Sequence, residues 1–200
     1  MEMPQGMERL EKQFDFLIEL DKMKLVERRS PIYAGTRREN DAEHSWHTAV
    51  MALVFAEYAP EGADPRRAAE MMLVHDLIEI YAGDTFAYDA KGNEDKAARE
   101  AAAADRLYAI LPPEQGGYFR ALWEEFDAME TPDAKFAAAM DRVEPILANW
   151  LCGGVTWREG NVREPQVWAR MAPVREGAPA LWPVIEYIIK ESVKRWILQE

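Results

Sequence analysis

Apolar residues in this chain recur at intervals of three and four, the period of an α-helix, and no segment alternates well enough to predict a strand. Leu181, Val184, Ile185, Ile188, Ile189, Val193, Trp196 and Ile197 mark one stripe, and Phe136, Met140, Val143, Leu147 and Trp150 mark another. The stretch from Ala49 to Ala56 is apolar on nearly every side, which predicts a central buried helix. The spacing predicts helices near 7–27, 41–59, 65–81, 93–111, 113–128, 133–152, 164–171 and 179–198. Asn40/Asp41, Asp64 before Pro65 and Thr131 before Pro132 mark starts, as capping residues or N1 prolines. Gly83, Gly92, Pro112-Pro113 and Gly153-Gly154 mark breaks. With no internal repeat and no long linker, the expected fold is all-α, residues 1–200 forming a single domain.

A chain of 200 residues is long enough to bury a real core. No run of about 18 apolar residues predicts a transmembrane helix, and five acidic residues between Met1 and Leu20 argue against a signal peptide. Cys152, the lone cysteine, has no partner for an internal disulfide, so a cytoplasmic location is expected. Thirty-six acidic against 24 basic residues give a net charge of −12, which argues against a nucleic-acid polymer as partner. Neither Arg28-Arg29 nor Arg37-Arg38 is long enough for a polynucleotide track. Each would suit one small anion, such as a nucleotide phosphate, or would be ordinary surface arginine.

The three histidines carry the functional signal. His44 opens the predicted central helix within Glu43-His44-Ser45-Trp46-His47, and His75 stands beside Asp76 in an apolar run from Met71 to Ile80. Burying an imidazole beside a carboxylate is costly unless something pairs with them, and a divalent cation suits both donor types. Asp141 is equally out of place on its apolar stripe. His44, His75, Asp76 and Asp141 could therefore converge on one ion, although a buried histidine is more often a satisfied core residue. Glu79 follows three residues after Asp76, where it could hold or activate a water or simply be a solvated helix residue. Asp84, just after Gly83, could be aimed at the same face or could be plain turn chemistry.

Taken together, the stretch from Arg37 to Ser45, His75-Asp76-Leu77-Ile78-Glu79, Gly83-Asp84 and Asp141-Arg142 resemble the HD-domain superfamily of metal-dependent phosphohydrolases, with its H…HD…D pattern. The likeness is greatest to the small YfbR-type 5′-deoxynucleotidases, whose segment after the last aspartate is similar to Gly153-Gly154-Val155-Thr156-Trp157-Arg158-Glu159, and it runs from about Leu25 to about Trp182. The resemblance implies an HD-domain helical bundle and hydrolysis of a small phosphate monoester, a nucleoside or deoxynucleoside 5′-monophosphate. It assigns one divalent metal ion (cobalt, manganese, magnesium, zinc or iron) to His44, His75, Asp76 and Asp141, and catalysis to Glu79 and Asp84. Arg29, Arg37 and Arg38 become the substrate-binding arginines, and a homodimer with no membrane partner is implied. A non-enzymatic helical module with a structural metal is the rival reading.

Two departures sharpen the expectation. An Arg-Trp pair that helps hold the nucleotide in the YfbR-type enzymes corresponds here to Arg29-Ser30. Packing against base or sugar would then come from Tyr33, Trp46 or Phe86, and looser discrimination among nucleotides is expected. No histidine follows His75, unlike the binuclear HD phosphodiesterases, and Glu79-Ile80-Tyr81 stands where the alarmone hydrolases carry a Glu-Asp pair. His47, three residues after His44, could touch the site or merely satisfy a hydrogen bond in the core.

Overall fold

A computed structural model describes residues 3–200. The three helix starts marked by capping residues are each held by a side-chain hydrogen bond. Asn40 caps α2 (Asp41–Val54) through a reciprocal box: its side chain accepts from the Glu43 amide at 3.0 Å, while Glu43 accepts from the Asn40 amide at 3.2 Å. Asp64 accepts from the Arg66 amide at the head of α3 (Pro65–Val74), and Thr131 from the Ala134 amide at the head of α7 (Pro132–Leu151). The remaining helices are α1 (Glu8–Leu20), α4 (Glu79–Ala82), α5 (Lys96–Tyr108), α6 (Pro113–Ala128), α8 (Val155–Glu159), α9 (Glu164–Met171), α10 (Val174–Gly177) and α11 (Trp182–Lys194).

Helix α7 is the axis of the bundle, in contact with α2, α3, α6, α10 and α11. Ala134, Ala137, Ala138 and Ala139 are fully buried on it, and such small side chains let neighbouring backbones come close. Gly177 shows how close: a Cβ there would stand 2.0 Å from the Lys135 carbonyl oxygen. Phe136 and Met140 of the α7 stripe, and Ile185, Ile188 and Ile189 of the α11 stripe, fill the space between the helices.

Four expectations from the sequence change. A short antiparallel hairpin is present, β1 (Glu27–Pro31) paired with β2 (Arg38–Asn40), with Glu27 opposite Asn40 and Pro31 opposite Arg38. It lacks apolar alternation because the side chains it turns inward, Ser30 and Glu39 among them, are polar. The helix expected over 7–27 ends at Leu20 and tightens into a 3₁₀ turn over Asp21–Leu25. The helix expected over 65–81 breaks after Val74, with a turn carrying His75 and Asp76 before α4 resumes. Finally, α2 is buried on one side only: Ala49 and Ala52 face the core, while Trp46, Leu53 and Val54 are exposed.

Ile189→Ala should lower unfolding free energy by about 2–5 kcal/mol in denaturant titration, the cost of a buried cavity. Val184→Ala on the same helix, where the side chain is half exposed, should cost no more than about 0.5 kcal/mol.

Candidate metal centre and active-site cavity

Four segments deliver charged side chains to one place. The hairpin brings Arg28, the first turn of α2 brings Asp41 and His44, the break between α3 and α4 brings His75, Asp76 and Glu79, and α7 brings Asp141. The spacing of His75, Asp76 and Glu79 keeps them on neighbouring faces, and the turn after Val74 carries His75 and Asp76 before α4 resumes at Glu79. Glycine at 83, with φ +74°, ends α4 and turns the chain so that Asp84 joins the group.

His44 Nε2 lies 3.1 Å from Asp141 Oδ1 and 3.9 Å from Asp76 Oδ2. His75 Nε2 lies 3.1 Å from Asp76 Oδ2 and 3.7 Å from Asp141 Oδ1. The far nitrogens have acceptors of their own: His44 Nδ1 is 3.3 Å from Glu144 Oε2, and His75 Nδ1 is 2.8 Å from the Met72 carbonyl. A proton on each Nδ1 satisfies those acceptors and leaves each Nε2 lone pair turned toward carboxylates. His75 Nε2 is buried and makes no hydrogen bond. One donor atom each from His44, His75 and Asp141 lie within 4.8 Å of one another. Two imidazoles and a carboxylate, with Asp76 alongside and one nitrogen orphaned, are a donor set that fits a divalent cation.

The electrostatics call for positive charge. Burial and Arg28 work against a proton on His44, yet the hydrogen bonds to Asp141 and Glu144 prevail and raise it to about 10. His75 is raised to about 9 against burial by its neighbours Asp76 and Asp141. Despite burial, the two histidines hold Asp141 well below the usual carboxylate range, and His75 and Arg28 do the same for Asp76. Arg28 donates to Asp76 Oδ2 at 2.9 Å and Glu39 Oε1 at 3.2 Å, with Asp41 at 3.4 Å and Asp84 at 3.9 Å. On the other side of this guanidinium the carboxyls are pushed up. Burial first, then neighbouring carboxylates, raises Asp41 to about 7 and Glu79 well above its ordinary value, and burial raises Asp84. Asp41, Glu79 and Asp84 form a second cluster of donor atoms within 4.8 Å.

His75, Asp76, Glu79, Asp84 and Asp141 line one side of a cavity of about 230 Å³, which Arg29, Ser30 and Phe86 also line. Arg29 lies over the Phe86 ring at 4.6 Å from its centroid. The expected ligands and carboxylates His44, His75, Asp76, Asp141, Glu79 and Asp84 are thus brought together, but the arginines divide. Arg37 makes a bidentate pair with Glu43 at 2.6 and 2.7 Å, and Arg38 is tied to Glu159 at 2.6 and 2.7 Å. Neither lines the cavity. Of the three aromatics considered for base packing, Phe86 is at the cavity; Tyr33 instead donates to the Glu144 carbonyl, and Trp46 is exposed. His47 sits outside the cavity, 3.6 Å from Glu144. Sequence reasoning missed the roles of Arg28, Glu39, Asp41 and Glu144. Glu144 had a signal, since it follows Asp141 by three residues on one helix face.

The fold and this centre define a helical protein built around a buried cluster of two histidines and two aspartates whose donor atoms suit a divalent cation. A family model for the HD domain matches residues 20–182, and the chain belongs to the HD domain family. The 5′-deoxynucleotidases HDDC2 of Bos taurus and Homo sapiens are 32% and 31% identical to it over 133 residues, 66% of this chain. The matched region spans 63% and 64% of those two relatives, under two thirds of their length. A crystal structure described as a predicted metal-dependent phosphohydrolase, from Magnetospirillum magnetotacticum MS-1, superposes with a TM-score of 0.91 at 42% identity, covering 96% of this chain and 100% of the other. A conserved hypothetical protein from Pyrococcus furiosus shares the fold at TM-score 0.62 and 21% identity, covering 90% of this chain and 99% of its own.

Elemental analysis of the purified protein should find close to one divalent metal per chain. His75→Ala should lose it and melt at lower temperature, because a ligand bound only by the folded state contributes its binding energy to folding. Full metal retention in that variant would remove His75 from the site.

Proposed function

We propose that this protein is a metal-dependent phosphohydrolase, a single HD-type domain that removes phosphate from a nucleoside or deoxynucleoside 5′-monophosphate. The observation that carries the reading is the convergence of His44, His75 and Asp141 donor atoms at a cavity that His75 and Asp141 line together with Glu79 and Asp84. A purely structural ion needs no such cavity, which favours catalysis over the rival reading. The curated relatives named 5′-deoxynucleotidase and the neighbour described as a metal-dependent phosphohydrolase point the same way.

In this scheme His44, His75, Asp76 and Asp141 hold the ion. A divalent cation there supplies a Lewis acid and lowers the pKa of water. Glu79, its proton affinity raised by burial and by Asp76 and Asp41, is matched to accept a proton from the attacking water. Asp84, also raised by burial, delivers a proton to the leaving alkoxide. Arg28 keeps the crowded carboxylates in register. Among the described residues Arg29 has no carboxylate partner, and it lies on Phe86 at the cavity wall, so it contacts the nucleotide there. Among the described residues no helix is long and apolar enough to cross a membrane. The lone Cys152 supports a cytoplasmic location, and exposed Trp46, Leu53 and Val54 on α2 give a homodimer something to bury.

A screen against nucleoside monophosphates with added cobalt, manganese, magnesium, zinc or iron tests the reading directly. Glu79→Gln should keep metal and fold while losing turnover by on the order of 10²-fold or more; an unchanged kcat would put proton transfer elsewhere. Serine at position 30 cannot stack on a base, so kcat/KM should differ among nucleotides by less than about 100-fold, roughly 2.7 kcal/mol. Arg29→Ala should raise KM more than it lowers kcat, the mark of a contact made equally in ground and transition states.

A further inference from the structure

The positively charged side chains around the cavity are not equally committed. Arg28 is surrounded by Asp76, Glu39, Asp41 and Asp84. Lys96 has Glu100 at 3.4 Å. Arg142 differs. Its side chain is 9% exposed, yet no carboxylate forks with it. Nη1 donates to the Ala138 carbonyl of its own helix at 2.8 Å, Nη2 meets the Met129 sulfur at 3.3 Å, and buried Nε has no partner. The nearest acidic atom is Asp141 Oδ2, at 3.5 Å, and that same oxygen lies 3.3 Å from Arg170 Nη2. Both arginines line the cavity.

Asp141 is thus divided between two neighbourhoods. Oδ1 faces the imidazoles, and Oδ2 faces two guanidiniums. One carboxylate is shared by two guanidiniums and by the histidines, and it offers neither guanidinium a two-pronged pair. Interior guanidiniums are ordinarily matched by planar or tetrahedral oxyanions that accept several N–H donors at once.

We propose that Arg142 and Arg170 form the phosphate-binding subsite, gripping the phosphoryl oxygens of the substrate on the side of Asp141 away from the histidines. The proposal rests on the phosphohydrolase reading for its substrate class, while the subsite itself is defined by binding of inorganic phosphate. It also gives Arg29 the nucleoside end of the cavity and leaves the charged end to a pair of arginines to which the sequence assigns no role in binding.

The test titrates inorganic phosphate into the metal-loaded protein by calorimetry and measures KM and kcat on a nucleoside monophosphate. Two variants are compared with the parent: Arg170→Gln, at a partly exposed position, and Arg142→Lys, which keeps the charge but loses the fork. Each should weaken phosphate binding about tenfold or more, the scale of a lost charged hydrogen bond, and raise KM with metal content unchanged. Phosphate binding equal to the parent's in both variants overturns the subsite, as does a phosphate affinity lost in Arg29→Ala but kept in these two. A parent that binds phosphate through these arginines yet hydrolyses no monoester leaves the subsite standing and removes the phosphohydrolase reading. A parent that hydrolyses monoesters, with both variants unaltered in KM, removes the subsite alone.

Discussion

Glu39, Asp41, Asp76, Glu79, Asp141 and Glu144 are all buried, and Asp84 is nearly so. Carboxylates cannot be gathered in a protein interior without cations among them, since an unpaired buried charge costs several kcal/mol. The architecture answers with Arg28, inserted among four of them, and with His44 and His75. The hairpin follows from this need. Its strands have no apolar face to bury, and what β1 contributes to the interior is chiefly the Arg28 guanidinium, while β2 supplies Glu39 and leads directly into Asp41. The small sheet is a charge-delivery device on an otherwise helical body.

The same constraint explains which parts of the structure could be read from the chain. Capping residues and apolar periodicity report on local energetics, so the starts at Asp41, Pro65 and Pro132 emerge from the sequence alone. So do the histidines and aspartates of the centre, because polar groups on apolar stripes are anomalous wherever they occur. The hairpin and the break after Val74 do not, because both exist to satisfy long-range electrostatics that no local pattern encodes. Arg28 is the plainest case. In sequence it is one of two adjacent arginines, and only the fold reveals that Arg28 turns in among carboxylates while Arg29 lies on Phe86.

Arg37 and Arg38 illustrate the converse error. They stand closest in sequence to the His44 motif and carry the right charge for an anion, yet each is already neutralised by a glutamate away from the cavity. Sequence proximity to a motif is a weak guide here, since Arg37 lies in the turn before β2 and Arg38 on a strand, where alternate side chains point to opposite faces. Arg142 sits directly after Asp141 and does reach the cavity, because on α7 its position turns it inward against Ala138 and Met129. Pro145 adds a local feature here: lacking an amide hydrogen, it cannot bond the Asp141 carbonyl four residues back, so the continuous helix α7 lacks that one hydrogen bond at the residue that faces the histidines.

The buried acids separate into two populations, and their separation gives the site its chemical direction. Asp76, Asp141 and Glu144 lie against the histidines and are held low, Glu144 at about 2, so they remain ionised across the physiological range. Glu39 and Asp41, at about 7, and Glu79 and Asp84, both raised, lie on the Arg28 side, where burial and mutual repulsion retain protons. For the first group the folded state binds fewer protons than the unfolded chain. Their contribution to stability is present above the ordinary carboxylate pKa and is lost as pH falls through the depressed values. For the second group the sign reverses: the folded state holds more protons, and stability is lost as pH rises from the ordinary carboxylate pKa toward about 7. A cation held by the first group would favour ionisation of the second, because the two share Arg28 and lie within a few ångströms of each other. Carboxyls pushed in opposite directions within one buried cluster are how a single fold sets permanently anionic side chains next to others that keep their protons toward neutral pH.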